Sequence, residues 1–436
     1  MVVEAESTAA DGQSRLAPPR LAVAYDITSS SPLELSQALK DACDLVWMVD
    51  TSDARLGSLA RLLPRLGQVV ESGNRSLDAV TAELSEANVD GVIAFTDSQL
   101  LLSSAVSHAL GLPGNPISTV TALTDKVVQR RLLERAGVAV PRFRELAAGV
   151  AVDEAVARVE DVRFPAAVKP AHGSASRNVL RVSDPADLRR GLGEILDGAA
   201  VLPETYIAEA WLPEEAPGAH PGFASYVSVE AVVQCGEVVP LAITGKFPTV
   251  PPCRETGNFM PHHLGPVQAA AVFELAVTAA AALGVQAGAL HIEIKLTPDG
   301  PRVIEVNGRI GGGGIDALYQ ARHGRSLTEI AAQVALGRRV TFDFDRGAQT
   351  AGPFVFEYFV QPPLSARRLT AMDHLPRVQA LDGIEGTNVN RAVGDAIDWR
   401  EGSQGYVLSV RGAAATLNEL QQVPERIATS LALEFE

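Results

Sequence analysis

"HIEIKLTPDGPRVIEVNGRIGGGG", residues 291–314, decides how the rest of the chain is read. His291–Leu296 alternates polar and apolar residues, Arg302–Asn307 does the same, and Thr297-Pro298-Asp299-Gly300 joins them. This is the pattern of a β-hairpin. With the turn centred on Asp299, Glu293 lies opposite Glu305 and Asn307 opposite His291. Positions of one parity share a face of a strand. One face then carries Glu293, Lys295, Glu305 and Asn307, and the other Ile292, Ile294, Leu296, Ile304 and Val306. Like charges directly opposite one another are destabilising, so the facing acids call for a shared cation or a raised carboxyl pKa. With Asn307 beside them every donor is a hard oxygen, which suits Mg²⁺ or Mn²⁺. The plainer alternative is a solvated face with Lys295 as counter-ion. Arg309 follows two residues beyond Asn307, with a planar, permanent charge fit to grip phosphate or carboxylate. Gly311–Gly314 then allow the backbone to approach a ligand closely.

Composition bounds what such a hairpin can serve. A chain of 436 residues holds roughly three domains, and 47% hydrophobic residues suffice for packed cores. The net charge of −15 speaks against a nucleic-acid partner, which requires a basic surface. Cys43, Cys235 and Cys253 are odd in number and widely spaced. They form neither a disulfide framework nor a zinc motif, and a reducing cytoplasmic setting is expected. Residues 1–18 lack the basic start and apolar core of a signal peptide and read as a disordered lead. No apolar run reaches the ~18 residues of a membrane span, so no membrane partner is expected.

Strand and helix patterns alternate through residues 19–115: RLAVAYD, a helix over 32–43, Leu45–Val49, Gln68–Glu71, a helix over 76–87, and VDGVIAFTD. That order predicts a doubly wound parallel α/β domain. No G-x-G-x-x-G follows its first strand, so no nucleotide is assigned to it. A helix is expected over 123–137, and strand, small-residue loop and strand over 165–182. A further strand is expected in 201–212, a long hairpin over 224–247, and helices over 267–283 and 326–336. From these patterns the chain divides into a lobe of residues 116–200, a second of 201–345, and a small β-rich region of 346–436 ending in a helix over 413–430. The loop AHGSASRN after Val168-Lys169-Pro170 offers backbone N–H groups and a lysine to an anion, although it is not a Walker A motif.

In their order, TDKVVQRRLLERAGVAVP, FPAAVKPAHGSASRNV, YIAEAWL and the hairpin resemble the ATP-grasp superfamily across residues 110–340. The resemblance implies an ATP-grasp fold of α/β class. Lys126 and Lys169 would contact ATP, Ser174 and Ser176 would lie in a mobile phosphate loop, and Glu209, Ala210 and Leu212 would hold adenine. Glu214 or Glu215 would meet the ribose. Glu293, Glu305 and Asn307 would hold the metal, and Arg309 would face the γ-phosphate and an acyl-phosphate. TGKFPTVPPCRETGNFMPHHLGP (244–266) further resembles the bacterial L-amino-acid ligases of the bacilysin type. That implies ATP-dependent joining of an amino acid to an amine, in a specialised metabolic setting, by a homodimer with small-molecule substrates. Glu255 would bind an amino group, Lys246 would assist at phosphate, and Gly312 would border the second substrate. Loop histidines His262 and His263 lie nearby.

The bacilysin-type pattern has a bulky aromatic residue in the glycine segment and alanine at the place of Asn307. The departure here leads to the expectation of a roomier pocket and a second substrate larger than alanine, or a non-standard amine. Biotin-carboxylase-like and purine-pathway carboxylases share the core, but RIGGGG does not continue as the biotin-carboxylase pattern does. A non-catalytic ATP-binding module would be expected to have lost its metal acids or Arg309, and all are present.

Overall fold

The computed structural model describes residues 17–27, 30–159, 161–213, 222–342 and 352–436. The expected lead of residues 1–18 falls almost wholly outside the described residues, as do Glu214 and Glu215. Arg20–Ala24, Asp44–Val49, Gln68–Glu71 and Gly91–Ala94 form a parallel sheet with the third strand at one edge, then the second, first and fourth. Between their polar ends its strands are apolar because both faces are covered. Leu21, Val23, Leu45 and Trp47 enter one core, while Ala22, Ala24, Val46 and Met48 enter another.

A second, antiparallel sheet runs Phe143–Leu146, Tyr206–Ala210, Ala166–Pro170, Leu180–Val182. Tyr206–Ala210 lies inside it, so this sheet continues past residue 200, where the sequence patterns divide the lobes. The largest sheet has eight strands, ordered Gly300–Asn307, Ala287–Thr297, Tyr226–Gln234, Glu237–Lys246, Gly257–Met260, Phe354–Val360, Leu408–Ala414 and Ile384–Val389. The C-terminal residues are β-rich as expected, but three of their strands extend this sheet. The helix expected from Ala413 begins later. Ala413 and Ala414 end a strand, and Thr416 caps a helix over Leu417–Ser430 by accepting from the Glu419 amide. Among the described residues no helix is long and apolar enough to cross a membrane.

The large sheet divides its residues by parity. Val227, Val229, Ala231, Ile243, Leu290, Ile292 and Ile294 pack in one core with Val272, Ala276 and Ala279 of the helix Pro266–Ala282. Tyr226, Ser228, Glu230, Thr244, Lys246, Asn258, His291 and Glu293 project from the opposite face, where cross-strand partners bring them into rows. The hairpin has the expected pairs Glu293 with Glu305 and His291 with Asn307. A bulge beyond Glu293 then pairs Ile294 with Val303. Val303, not Ile304, is therefore buried in the apolar core. An extra residue in one strand shifts the parity of everything beyond it.

The single helix expected over 123–137 is two, Ile117–Thr124 and Lys126–Arg135. Asp125 between them is extended, and its carboxylate accepts from the amides of Val127 and Val128. The break sets Lys126 at the first turn of the second helix. From that helix, buried Gln129 donates to the Val306 carbonyl at 2.9 Å and accepts from the Val306 amide at 2.9 Å. Arg130 donates to the Ile304 carbonyl. These side chains cap the edge strand of the large sheet, whose unpaired backbone would otherwise be a liability. Gln129→Leu keeps the volume and strands both Val306 groups. It should lower unfolding stability by about 2–3 kcal/mol, read as a reduced urea midpoint at unchanged m-value. An unaltered midpoint would refute the clamp.

Candidate active site

The two acids opposed across the hairpin each have a cation. Lys126 Nζ lies 3.0 Å from Glu305 Oε1, and His291 Nε2 lies 3.5 Å from Glu293 Oε1. His291 in turn has Nδ1 3.0 Å from Oε2 of Glu230, a carboxylate buried on the adjacent strand and also bonded by Ser228 and Thr244 at 2.8 and 3.0 Å. Burial opposes charge on this imidazole, but the Glu230 carboxylate outweighs it and lifts the group to about 9. Burial likewise opposes charge on Glu293, but the bond from His291 holds its carboxyl down to about 2. Glu293 is thus kept ionised. Lys295, the counter-ion of the plainer alternative, has its ammonium 5.9 Å from the centre of the Trp211 ring.

These residues fit a magnesium-type ion. Among the described residues no group of three or more His, Cys, Asp or Glu converges as a metal cage. What converges is a pair of carboxylates with Asn307 on the same face, its Nδ2 donating to the His291 carbonyl at 3.3 Å. Mg²⁺ typically takes one or two carboxylates and completes its shell with water and phosphate oxygens. A partial, oxygen-only donor set suits that habit.

Arg309 follows the hairpin and is held by the N-terminal domain. Its Nε donates to Asp97 Oδ2 at 2.9 Å and its Nη1 to the Ile310 carbonyl at 3.1 Å. The glycine run behind it is tightly enclosed. A Cβ on Gly311 would meet His291 Nδ1 at 2.7 Å, and one on Gly314, whose φ is +77°, would meet Glu357 Oε2 at 2.0 Å. Gly313 faces Asn258 and Phe359 in the same way. The expected roomier pocket therefore does not follow from Gly311, Gly313 and Gly314, because neighbouring atoms stand where their side chains would begin.

On the smaller antiparallel sheet, Lys169 Nζ is 2.7 Å from Glu209 Oε2, while Arg130 Nε bonds the other oxygen of that buried acid. Burial opposes charge on Glu209, but Arg130 and Lys169 outweigh it and hold the carboxyl at about 2. Its carboxylate is thereby engaged inside the fold. The amides of Ala210 and Trp211 bond the carbonyls of Arg142 and Pro165 at 2.8 and 2.9 Å, with Leu212 next in the chain. Lys126 also donates to the Gly173 carbonyl at 2.7 Å, at the start of the loop bearing Ser174 and Ser176. Lys126, Lys169, Glu209 and this loop are thus brought together.

Lys246 and Glu255 meet as well, at 3.3 Å, and Tyr226 donates its hydroxyl to the same Glu255 oxygen at 2.9 Å. Lys246, Asn258 and Glu357 pair successively across the large sheet, on the face that bears Glu293. Sequence patterns had not singled out Glu230, Asp97, Arg130, Gln129 or Tyr226. Strand parity could have found Glu230 and Tyr226, each two residues from Ser228. Asp97 and Arg130 meet their partners only through the tertiary fold.

His262 lies apart from these groups. It is buried, its Nδ1 accepts from the Leu264 amide at 3.1 Å, and burial pushes the imidazole down to about 4. It is neutral in the fold, and the unfolded chain takes up a proton below its ordinary pKa of about 6.5. Stability should therefore fall as pH drops from about 6.5 toward 4, by on the order of 3 kcal/mol from this group. His262→Asn retains an acceptor and should lose that component of the pH slope in urea unfolding. An identical slope would exclude the assignment.

Residues 162–316 match the model of the ATP-grasp domain family. Mouse carnosine synthase 1 is 30% identical over 273 residues, which span 59% of this chain and 32% of that one. The chain thus covers under a third of that relative's length. The L-arginine-specific L-amino acid ligase of Bacillus subtilis is 24% identical over 77% of both chains. The crystal structure of an L-amino acid ligase from Bacillus licheniformis superposes with a TM-score of 0.75 at 21% identity, covering 97% of this chain and all of that one. Residues 162–316 thus match the ATP-grasp domain family, and the chain as a whole has the ATP-grasp fold and resembles the bacterial L-amino-acid ligases.

Proposed function

We propose that the chain is an ATP-dependent carboxylate–amine ligase that joins an amino acid to an amine, a second amino acid in the simplest case, through an acyl-phosphate. The observation that carries this reading is one face of the large sheet. The facing acids Glu293 and Glu305 stand at one side of it, and the Tyr226–Lys246–Glu255 cluster stands beside them. The first arrangement suits the phosphates of a metal-bound nucleotide, and the second suits an ammonium group.

In this reading Lys126, Lys169, Ser174 and Ser176 bind ATP phosphates, Ala210–Leu212 border the adenine, and Glu293, Glu305 and Asn307 hold Mg²⁺. The ion neutralises phosphate charge when bound. A substrate carboxylate oxygen attacks the γ-phosphorus, the bond to the β-phosphate oxygen breaks, and ADP leaves. Glu255 holds the amino group of that substrate and Lys246 balances local charge. The neutral amine of the second substrate, bordered by Gly312, attacks the acyl carbon. The C–O bond to phosphate breaks, the amine loses a proton, and an amide remains. Arg309, oriented by Asp97, stabilises the oxyanion of the tetrahedral intermediate. Closure of the 171–178 loop excludes water that would hydrolyse the acyl-phosphate.

A coupled ADP-release screen over paired amino acids and amines, with product masses, tests the reading. Substrate-dependent ADP release with an amide product of the summed mass less water supports it. A strict bicarbonate requirement would point to a carboxylase, and ATP binding without turnover on any pair to a regulatory module. Glu305→Gln should abolish ADP formation. Arg309→Ala should lower turnover by about 10²–10³-fold, and near-normal turnover in that variant would remove Arg309 from the chemistry.

A further inference from the structure

A short C-terminal segment, far from the ATP-grasp domain in sequence, touches both ends of this site. Trp399–Gly405 forms a kinked turn of 3₁₀ helix in which Gly402 has φ +67°. On one side it meets the 171–178 loop. The Ser403 amide donates to the Ala175 carbonyl at 2.8 Å. A Cβ on Gly402 would stand 2.2 Å from that same carbonyl oxygen and 2.7 Å from the Arg177 nitrogen. The loop itself is bent at this place, with Ala175, Ser176 and Asn178 all at positive φ. Trp399 packs against the core of the small sheet, and Arg400 Nη1 is 2.7 Å from Asp197.

On its other side the same turn holds Glu255. The Ser403 hydroxyl accepts from the Glu255 amide at 2.9 Å. Gln361 Nε2 donates to the Glu255 carbonyl at 2.7 Å and to the Ser403 carbonyl at 2.9 Å. The turn is itself anchored, because Asn390 donates to the carbonyls of Gln404 and Tyr406, at 3.1 and 2.8 Å, and Tyr406 stacks on Phe359 at 4.9 Å. One buried serine thus joins the loop and Glu255 through its own amide and hydroxyl, two bonds that separate substitutions can break.

We propose that Gly402–Ser403 is a positioning element that couples closure of the 171–178 loop to the seating of Glu255. It rests on the reading of that loop as a phosphate cradle and of Glu255 as a substrate-binding acid. Neither residue touches reacting atoms. Nucleotide phosphates that order the loop fix the Ala175 carbonyl, and with it the Ser403 amide already bonded to it. The Ser403 hydroxyl and Gln361 then fix the backbone that carries Glu255. Acceptance of the first substrate thereby favours ordered phosphates, and an acyl-phosphate forms only under a closed loop.

Hydrogen–deuterium exchange on the full chain, with and without Mg²⁺ and a non-hydrolysable ATP analogue, tests the coupling. In the wild type the nucleotide should slow exchange in 171–178 and, through the turn, in 251–258, by about fivefold or more. Ser403→Ala keeps the amide bond to Ala175 and removes the hydroxyl. It should retain the protection of 171–178 and lose that of 251–258. Protection of 251–258 that survives in Ser403→Ala overturns the coupling, as does wild-type protection confined to 171–178. A nucleotide that protects neither segment of the wild type overturns the phosphate-cradle reading and the coupling together. Gly402→Ala, which pushes against Ala175 and strains a positive-φ position, should weaken analogue binding about tenfold in protein that is less stable but still folded at the assay temperature. Undiminished affinity in that folded variant also overturns the proposal.

Discussion

An antiparallel sheet ends in a strand whose outer backbone groups have no partner, and in this protein that strand carries Glu305 and Asn307. The helix Lys126–Arg135 supplies the partner. Gln129 replaces the missing ladder at Val306, Arg130 covers Ile304, and Lys126 reaches Glu305. Arg130 also bonds Glu209 of the smaller sheet, which holds Lys169. One short helix therefore satisfies an edge and binds two sheets to each other. The acids at the site depend on it, because a hairpin free to fray at its outer strand could not hold two carboxylates in register.

The charges around this helix are mostly arranged in compensated groups. Glu209 lies between Arg130 and Lys169, Glu305 faces Lys126, and His291 lies between Glu230 and Glu293. Buried ion pairs of this kind seldom stabilise a fold more than well-packed apolar residues would, yet removing one member leaves an uncompensated charge. Their use here is geometric. Each cation fixes the direction of the acid it faces.

The hairpin was legible because a period of two is a strong signal, but the turn alone, which pairs Thr297 with Gly300, would set Glu293 opposite Ile304, and it is a bulge that brings Glu305 there. The bulge at Ile304 was not legible. Nothing in VIEV marks the extra residue, which shows only in the pairing with Ile294. The break at Asp125 was readable in principle, since an aspartate ahead of an apolar helical run is a capping signal. It was masked by continuous helical spacing on both sides. The extension of the large sheet by C-terminal strands, and the contacts Asp97–Arg309 and Ser403–Glu255, join residues separated by long stretches of chain. Local pattern carries no information about such pairs. The surroundings of the glycine run were not legible. Missing side chains read as vacancy, whereas Asn258, Glu357 and His291 press in from neighbouring elements.

The way Arg309 and Glu255 are held bears on modularity. The segment that matches the ATP-grasp domain family runs from residue 162 to 316, yet Arg309 is oriented by Asp97 from before it and Glu255 is pinned by Ser403 and Gln361 from beyond it. An excised domain would carry its reactive groups without the restraints on them. Transplanting this segment between proteins would move the side chains but leave behind their aim, so a working chimera must exchange the flanking regions as a set.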